Sequence, residues 1–293
     1  ITKLDERLLS APALALDQCR NQLIKMSAYS LEAMRDGLSC ITRYDEDKIN
    51  NIKKLEDKTD HYEDLDAITA DSDTLFITVP DGAISGVWDR LRDMPIKDKN
   101  ICHCSGSISS TVFFDAEDKG ACAYSVHPLY AVSDRYHSYK KLGNAVFSVE
   151  GSEKNLDVVR KVFEGMGNDV EVIDGDRKSL YHCAAVMVSN HMAALADIGS
   201  RMLEQCGFSH EAAGKALAPL ISGNADAIAA RGVEDALTGP VERGDCETVK
   251  KHLGVLEGDI RELYRILSEN LVTIAEKKHP DRDYEELKKE LQK

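Results

Sequence analysis

The chain has 293 residues and carries 51 acidic against 37 basic side chains, a formal net charge of −14. This excess of negative charge argues against nucleic acid and an anionic membrane surface as partners, because both need a basic patch. Hydrophobic residues make up 43% of the sequence, enough for real cores, and the length suits about two domains of roughly 100–200 residues. No run reaches the roughly 18–20 apolar residues of a membrane span, and no signal-peptide pattern is present, so we expect a cytoplasmic protein.

Eight cysteines are scattered along the chain, and only Cys102 and Cys104 lie close together. Because side chains alternate along a strand, both would point to the same face, which is poor geometry for a disulfide. No CxxC pair occurs, so the pattern does not favour a zinc site. The cysteines indicate buried thiols in a reducing cytoplasm, and we expect no metal.

Residues 1–64 have the pattern of helices only. Apolar side chains recur at three- and four-residue steps from Leu16 to Ile41, and the stripe resumes at Ile49 after the polar break "TRYDEDK". Such a stripe is typical of an amphipathic helix. The pattern therefore predicts a helical hairpin over residues 1–64.

Residues 65–176 have the alternating pattern of an α/β domain. Five short apolar segments have strand character: "TLFITVP", "NICHCSGS", "ACAYSVHPL", "NAVFSVEG" and "DVEVIDGD". Three other segments are predicted helices: "AISGVWDRLRDM", "SSTVFFDAEDKG" and "SEKNLDVVRKVFEGMG". Strands that alternate with helices predict a doubly wound parallel sheet.

Residues 177–293 are predicted to form a helical domain. One long helix is expected to run to Gly207, which closes it, and Ser209 is expected to cap the next helix. Asp245 has the position of an N-cap for a later helix, and Pro280 ends a long one.

Five sequence blocks in residues 62–293 carry a resemblance to a known family: "DTLFITVPDGAI", "HCSGS", "SVHPLYAVSD", "YHCAAVMVSNH" and "ALTGPVERGD". The segment resembles the Rossmann-like oxidoreductases with the domain of unknown function 2520, relatives of pyrroline-5-carboxylate reductase and 6-phosphogluconate dehydrogenase. The resemblance implies a Rossmann domain followed by a 6-phosphogluconate-dehydrogenase-like helical domain that forms a homodimer. It also implies redox chemistry between NADP or NAD and a small carbonyl or imine substrate.

Residues 1–64 instead resemble the PhoU-like helical segment found behind sodium/phosphate cotransporters, through "LDERLLSAPALALDQCRNQLIKMS" and "YDEDKINNIKKLEDKTDHYED". We therefore hypothesise a fusion, joined at the string "HYEDL" that suits both families. Glu56 and Asp60 match the ExxxD pattern that PhoU-like helices use for metal. One carboxylate pair is a weak signal, and a solvated helix face is the preferred interpretation.

The glycine loop of a dinucleotide-binding fold is missing. No GxGxxG occurs anywhere in the sequence, and the helical hairpin fills the positions where the resemblance places that loop. The loop normally lets the backbone approach the pyrophosphate at a helix N-terminus, so we expect binding of NADP or NAD to be weak or absent. The Rossmann sheet is expected to be incomplete, with "TLFITVP" as an open edge.

Two loops are candidates for cofactor contacts, because ligands of open α/β sheets bind beyond the carboxyl ends of the strands. The residues concerned are Val79, Pro80, Asp81, Ser105, Gly106 and Ser107. The second loop has backbone N–H groups and hydroxyls for a ribose, a phosphate or a carboxylate. For the first loop, the alternative is an ordinary turn, since Pro80, Asp81 and Gly82 are common turn formers.

Two histidines lie on the predicted strands. His103 has the position of a satisfied core histidine that points into the sheet. His127 ends a strand before a proline, which by itself favours a structural role, but the family resemblance implies a substrate-binding residue in the cleft.

The predicted long helix carries Tyr181, His182, Ser189, Asn190 and His191. Polar residues in an otherwise apolar helix need partners or a cleft. The resemblance implies that Asn190 holds the substrate, with Ser189 beside it, whereas the usual catalytic lysine position holds Val186. His182 has the intrinsic pKa for the acid–base role, and a helix–helix hydrogen bond is the alternative.

The loop "LTGPVERGD" contains two further candidates for substrate binding, Thr238 and Arg243. The resemblance implies that this loop approaches the substrate cleft, where the Arg243 guanidinium would suit a substrate carboxylate. Asp245 is assigned only a capping role.

Three functions remain open at this point. The preferred one is an NAD(P)-dependent oxidoreductase. The alternatives are a non-catalytic dinucleotide sensor or interaction protein, and a phosphate-signalling regulator led by the PhoU-like hairpin.

Overall fold

The computed structural model describes Tyr29, residues 64–132 and residues 138–293. The hairpin of residues 1–64, its PhoU-like character and the Glu56–Asp60 pair fall almost wholly outside these residues and stay predictions, as does the fusion. The chain divides into two compact units, one ending at Ser189 and one running from Asn190 to Lys293. We call them the sheet unit and the helical unit.

The sheet unit contains five described strands and four described α-helices. In chain order they are α1 (Leu65–Asp71), β1 (Thr74–Ile77), α2 (Ile84–Leu91), β2 (Asn100–His103), β3 (Cys122–Leu129), β4 (Val146–Gly151), α3 (Leu156–Glu164), β5 (Val170–Val172) and α4 (Lys178–Val188). Short 3-10 turns lie at Asp81–Ala83, Ser110–Val112, Ser138–Asn144 and Gly175–Arg177.

The strands pair in sequence order, β1-β2-β3-β4-β5. β1, β2 and β3 are parallel, and β4 and β5 are parallel to each other, but β4 runs antiparallel to β3. A parallel strand needs a crossover, and the described part of the β3–β4 connection holds only the 3-10 turn Ser138–Asn144. The predicted class, α/β with a helical C-terminal region, is confirmed, while the sheet is mixed rather than wholly parallel.

The two faces of the sheet differ in chemistry. One face is apolar, and α3 covers it with Phe163, whose ring stacks on Phe147 at 4.5 Å between centroids. The register places a polar set on the opposite face, because His103 pairs with Ser125 and His127 pairs with Ser148. We call this set the polar face, and its members are His103, Ser125, His127, Ser148 and Glu150.

The side of the sheet that carries the polar face also has an apolar part, and helix α2 covers that part. Ile84, Trp88 and Leu91 recur at four- and three-residue steps and are all buried. They pack with Leu75 and Ile77 of β1, as expected from the predicted amphipathic helix.

The segment "SSTVFFDAEDKG" is not the helix that the sequence predicts. It forms the 3-10 turn Ser110–Val112 followed by turns. Ser109 caps this turn with its hydroxyl, and the Ser110 backbone N–H and hydroxyl both donate to the Glu150 carboxylate, at 2.8 and 2.6 Å. Serine side chains that bond outside a helix favour turns over helix interiors, which explains the difference.

The helical unit contains α5 (Asn190–Gln205), α6 (His210–Ala236), α7 (Pro240–Arg243), α8 (Cys246–Val255), α9 (Gly258–Lys278) and α10 (Glu285–Leu291). Its core is formed by Val241, Val249, Leu253, Val272, Ala275, Tyr284, Leu287 and Leu291. Asp245 and Ser209 are N-caps as predicted, with oxygens 3.0 and 3.2 Å from the N–H groups of Thr248 and Ala212. None of the described helices is both long and apolar enough to cross a membrane.

The predicted single helix from 177 to Gly207 is two helices, α4 and α5, that meet at Ser189. The Ser189 hydroxyl donates to the carbonyl oxygen of Ala185 at 2.7 Å. Back-bonding of this kind bends helices, and the Ser189 backbone (φ −112°, ψ −76°) has left the helical geometry.

Gly151 at the end of β4 generates a stability prediction. Its φ is +145°, and an added Cβ would lie 2.0 Å from the Ala123 carbonyl oxygen. We expect Gly151→Ala to lower the free energy of unfolding by on the order of 3 kcal/mol, measured by urea denaturation. The matched control is Gly86→Ala in α2, where an added Cβ meets nothing within 4 Å; it should be neutral or stabilise by up to about 1 kcal/mol. Equal effects of the two changes would contradict the prediction.

Candidate functional site

The carboxyl ends of β1 and β2 bring three predicted cofactor residues together. The Asp81 carboxylate accepts hydrogen bonds from the hydroxyls of Ser105, at 2.8 Å, and Ser107, at 3.0 Å. Val79 and Pro80 precede Asp81 and are exposed. The loops after the two strands therefore form one surface at this end of the sheet.

Ser105 organises the loop after β2. Its hydroxyl donates to Asp81 and accepts from the backbone N–H groups of Ser107, at 3.2 Å, and Ile108, at 3.0 Å. The hydroxyl is thus committed to the protein. The negative charge that remains on Asp81 opposes a phosphate and suits a ligand that donates hydrogen bonds, such as a ribose hydroxyl.

His127 on β3 forms a side-chain pair with Tyr181 on α4. The His127 Nδ1 atom lies 2.8 Å from the Tyr181 hydroxyl, and the rings meet edge to face at 5.7 Å between centroids. A hydrogen bond of this length allows a proton to pass between two titratable groups, and the place of this pair near the carboxyl ends of the strands makes it a candidate for proton transfer.

Gly106 allows the loop after β2 to contact this pair. A Cβ added at Gly106 would lie 2.8 Å from His127 Nε2 and 2.9 Å from His182 Cδ2. These separations are shorter than an ordinary Cβ contact, so a side chain at residue 106 would require the His127 and His182 rings to move. The predicted residues Gly106, His127 and His182 are therefore neighbours.

Both strand histidines are held neutral by their surroundings. Burial lowers the pKa of His127 to about 4, with further lowering by the nearby charges of Lys178 and His182 and an opposing effect of Asp81. Burial likewise lowers the pKa of His103 to about 4.

His103 is only half satisfied, which corrects the expectation of a satisfied core histidine. Its Nδ1 atom accepts a hydrogen bond from the Ser105 backbone N–H at 3.1 Å, so the neutral ring carries its proton on Nε2. That Nε2 atom is buried and has no hydrogen-bond partner among the described residues.

Two buried charged residues complete the site, and the sequence pattern marks neither. Glu150 is 3% exposed and is held by the two hydrogen bonds from Ser110. Lys178, the first residue of α4, is 2% exposed, and its Nζ atom has no hydrogen-bond partner among the described residues. Burial lowers the pKa of Lys178, and the Glu150 charge opposes this shift.

Helix spacing links Lys178 to a residue that the sequence does single out. Lys178, Tyr181 and His182 follow the three- and four-residue spacing that places side chains on one helix face. His182 is a candidate from the sequence, but the spacing points to Lys178 only after the structure shows that this helix face lies at the site.

Four other predicted site residues lie at the end of α4 or in the helical unit. Ser189 is exposed and uses its hydroxyl in the break between α4 and α5. Asn190 begins α5, and Thr238 and Arg243 are exposed in the helical unit. The roles of Ser189, Asn190, Thr238 and Arg243 in substrate binding stay predictions.

A separate cavity of about 750 Å³ is bordered by Glu150 but not by His127, Tyr181 or Asp81. It lies where β4 and β5 end, and acidic residues dominate its charged lining: Asp115, Glu117, Asp118, Glu150, Glu153, Asp174 and Asp176. No lysine or arginine is among the residues that line it, so this cavity does not suit a ligand that carries phosphates.

Within the part of the chain that the structure describes, no group of three or more His, Cys, Asp or Glu residues has the geometry of a metal site. The six described cysteines are free thiols: Cys102, Cys104, Cys122, Cys183, Cys206 and Cys246.

The chain is similar to one protein family and to several solved structures. Residues 145–271, less than half of the chain, match the model of DUF2520, a domain of unknown function. No curated protein matches the chain. Among solved structures, protein TM1727 from Thermotoga maritima is 28% identical, with 78% of this chain and 88% of that chain covered and a TM-score of 0.62.

Two solved oxidoreductases share the fold at lower identity. Protein BF3122 from Bacteroides fragilis, provisionally described as an NADP oxidoreductase, is 19% identical (TM-score 0.59), with 77% of this chain and 85% of that chain covered. A pyrroline-5-carboxylate reductase from Coxiella burnetii is 14% identical (TM-score 0.51), with 86% and 94% covered. The chain therefore contains a DUF2520 segment and has a Rossmann-type fold that NAD(P)-linked oxidoreductases share.

The neutral histidines generate a pH prediction. Since the pKa of His103 and His127 is about 4 in the folded protein and about 6.5 in the unfolded chain, the unfolded chain takes up protons first as the pH falls. The free energy of unfolding should therefore fall between pH 6.5 and pH 5, by up to about 1.4 kcal/mol per pH unit for each imidazole. Urea denaturation at both pH values measures the loss, and His103→Phe should reduce it by about one proton's share. An unchanged loss in that variant would contradict the prediction.

Proposed function

We propose that this protein is an NAD(P)-linked reductase of a small carbonyl or imine substrate, with His127 and Tyr181 as its proton-transfer pair. The observation that carries the proposal is the 2.8 Å hydrogen bond between His127 Nδ1 and the Tyr181 hydroxyl. It lies close to the carboxyl ends of the parallel strands, where ligands of open α/β sheets bind. The fold shared with oxidoreductases supports the reaction class.

The loops at this end fit one part of a dinucleotide. Asp81 would accept hydrogen bonds from ribose hydroxyls, and the other residues that would hold the cofactor are Val79, Pro80, Ser105, Gly106 and Ser107. When bound, the cofactor supplies the hydride. The chain has no GxGxxG segment for the pyrophosphate, so we expect weaker cofactor binding than in a complete Rossmann domain.

Reduction of a carbonyl or imine requires a proton as well as a hydride, and the side chains at the site can deliver that proton. Burial raises the pKa of Tyr181, so its phenol stays protonated and acts as the acid toward the substrate oxygen or nitrogen. His127 is neutral near pH 7 and orients the phenol through Nδ1. His182, which also approaches Gly106, is the second candidate for acid–base work. Asn190, Ser189, Thr238 and Arg243 are proposed to hold the substrate.

The catalytic prediction concerns Tyr181→Phe, which removes only the hydroxyl that contacts His127. With NADPH and a panel of oxoacids, aldehydes and cyclic imines, we expect kcat to fall by about 100-fold or more. The matched control is Tyr264→Phe, which removes a hydrogen bond of the same length, 2.8 Å, between His252 and Tyr264 in the helical unit. That variant should keep kcat within a few-fold of the starting protein.

Retention of full activity by Tyr181→Phe would overturn the assignment of the pair. Calorimetric titration with NADPH separates the remaining alternatives. Binding without turnover of any substrate would favour the non-catalytic dinucleotide sensor, and absence of both binding and turnover would contradict the reductase function.

We also propose that the helical unit pairs with a second copy of the chain. α5 and α6 form an apolar groove of about 310 Å³, lined by Met192, Leu195, Leu217, Leu220, Ile221 and Ile228 among others. Leu220 and Ile228 are 60% and 47% exposed in the described chain. Large exposed apolar patches commonly mark protein–protein contacts, and the family resemblance implies a dimer through this domain.

The dimer prediction uses Leu220→Glu combined with Ile228→Glu. Because both side chains are exposed, the change should convert a dimer to a monomer that still unfolds in one cooperative transition, at a lower temperature because the stabilisation by the partner is lost. Light scattering coupled to gel filtration measures the mass, and Lys215→Glu on the same helix is the control that should leave it unchanged. A monomeric starting protein, or an unaffected dimer, would contradict the proposal.

A further inference from the structure

Lys178 is the most anomalous polar residue of the sheet unit. Its side chain is 2% exposed, and its Nζ atom makes no hydrogen bond within the described residues. Among the described ion pairs there is none between Lys178 and a carboxylate. A buried ammonium group without a hydrogen bond is unfavourable, so its presence at this position needs an explanation.

The position of Lys178 links it to the proposed proton-transfer pair. Its Nζ atom lies 5.2 Å from the centroid of the Tyr181 ring, and the Tyr181 hydroxyl reaches His127. A cation at this distance from an aromatic face is attracted by the ring quadrupole. One turn of α4 therefore places a positive charge against the phenol whose hydroxyl contacts the imidazole.

Glu150 is the carboxylate that acts on Lys178, and it also accepts the two hydrogen bonds from Ser110. No hydrogen bond joins it to Lys178 Nζ among the described residues. The charge of Lys178 also acts on Cys104, His103 and His127.

We propose that Lys178 is a positioning residue of this site: its ammonium group, held against the Tyr181 ring, places a positive charge on the hydrogen-bonded pair of His127 and Tyr181. A positive charge nearby disfavours a second positive charge on the imidazole. The same charge would stabilise the tyrosinate left after Tyr181 gives its proton to the substrate. The role in proton transfer depends on the reductase function proposed above, whereas the effect on His127 does not.

Three groups act on His127 besides Lys178, and the test has to separate them: Tyr181 and His182 on α4, and Asp81 after β1. His103 and Glu150 are the other titratable groups on the same face of the sheet. Burial is the largest cause of the low pKa of His127, and Lys178 is the next. Removal of the Lys178 charge should therefore shift the titration of His127 part of the way toward its ordinary value.

The experiment compares Lys178→Met with Lys178→Arg. Side-chain NMR follows the titration of His127 in the ligand-free protein, with the resonance assigned by its loss in His127→Asn. The starting protein should titrate at about pH 4. We expect Lys178→Met to raise that midpoint by on the order of 1 pH unit, and Lys178→Arg to leave it within a few tenths of a unit. An unchanged midpoint in Lys178→Met would overturn the proposal.

Folding is checked independently. Thermal unfolding should show that Lys178→Met is at least as stable as the starting protein, because an unpaired buried charge is replaced by an apolar side chain of similar length. Lys178→Gln provides a second uncharged variant if Lys178→Met does not fold, and the same shift of the His127 midpoint is expected of it.

Two readouts distinguish failure of this proposal from failure of the proposed function. A shift of the His127 midpoint in a protein that reduces no substrate supports the electrostatic role and contradicts the reductase. Turnover by the starting protein, with an unmoved midpoint in both uncharged variants, supports the reductase and overturns the role of Lys178. If both proposals hold, the acidic limb of the kcat profile moves upward with the midpoint in Lys178→Met.

Discussion

Burial of polar groups on one face of the sheet is the constraint on which the rest of the site depends. Imidazoles, hydroxyls and a carboxylate on β2, β3 and β4 face inward, where each unpaired group is costly. The surrounding segments supply hydrogen-bond partners for these groups, and this holds the segments in place. Ser110 donates to Glu150, the Ser105 N–H donates to His103, and Tyr181 shares a hydrogen bond with His127. Loop conformation and helix position thus follow from the hydrogen-bonding needs of the strands, and Lys178 and His103 Nε2 are the exceptions discussed above.

The contrast between the two sheet faces decides where chemistry is possible. On the apolar face, Phe147 and Phe163 stack under α3, and burial raises the pKa of Cys102 and Tyr124, so that both stay protonated. On the polar face, low dielectric strengthens every electrostatic interaction, so neighbouring charges shift the pKa of an imidazole strongly. A proton-transfer pair is favoured in the second environment, because its protonation state is fixed by the surroundings and not by solvent.

Much of the architecture could be predicted from the sequence, since the strand segments and α2 have strong local periodicity. The loop residues Asp81, Ser105 and Gly106 could be predicted as site residues because they follow the ends of predicted strands. The direction of β4 could not be predicted, because it depends on the path of the β3–β4 connection. The burial of Lys178 and Glu150 could not be predicted either, since a charged residue is expected to be exposed and only tertiary packing can reverse that expectation. The break at Ser189 falls within a strongly helical pattern, and the hydrogen bond from the Ser189 hydroxyl to the Ala185 carbonyl oxygen is not visible in that pattern.

The reversal between β3 and β4 gives the sheet two electrically different ends. The parallel strands β1 to β3 deliver their carboxyl ends to the His127–Tyr181 region, whereas β4 and β5 end at the acid-lined cavity. In a chain with a net charge of −14, the acidic lining of that cavity repels an anion that diffuses toward it. Strand direction thereby acts on association kinetics, because it gives the β4–β5 end of the sheet a lining that shortens its encounters with anionic molecules.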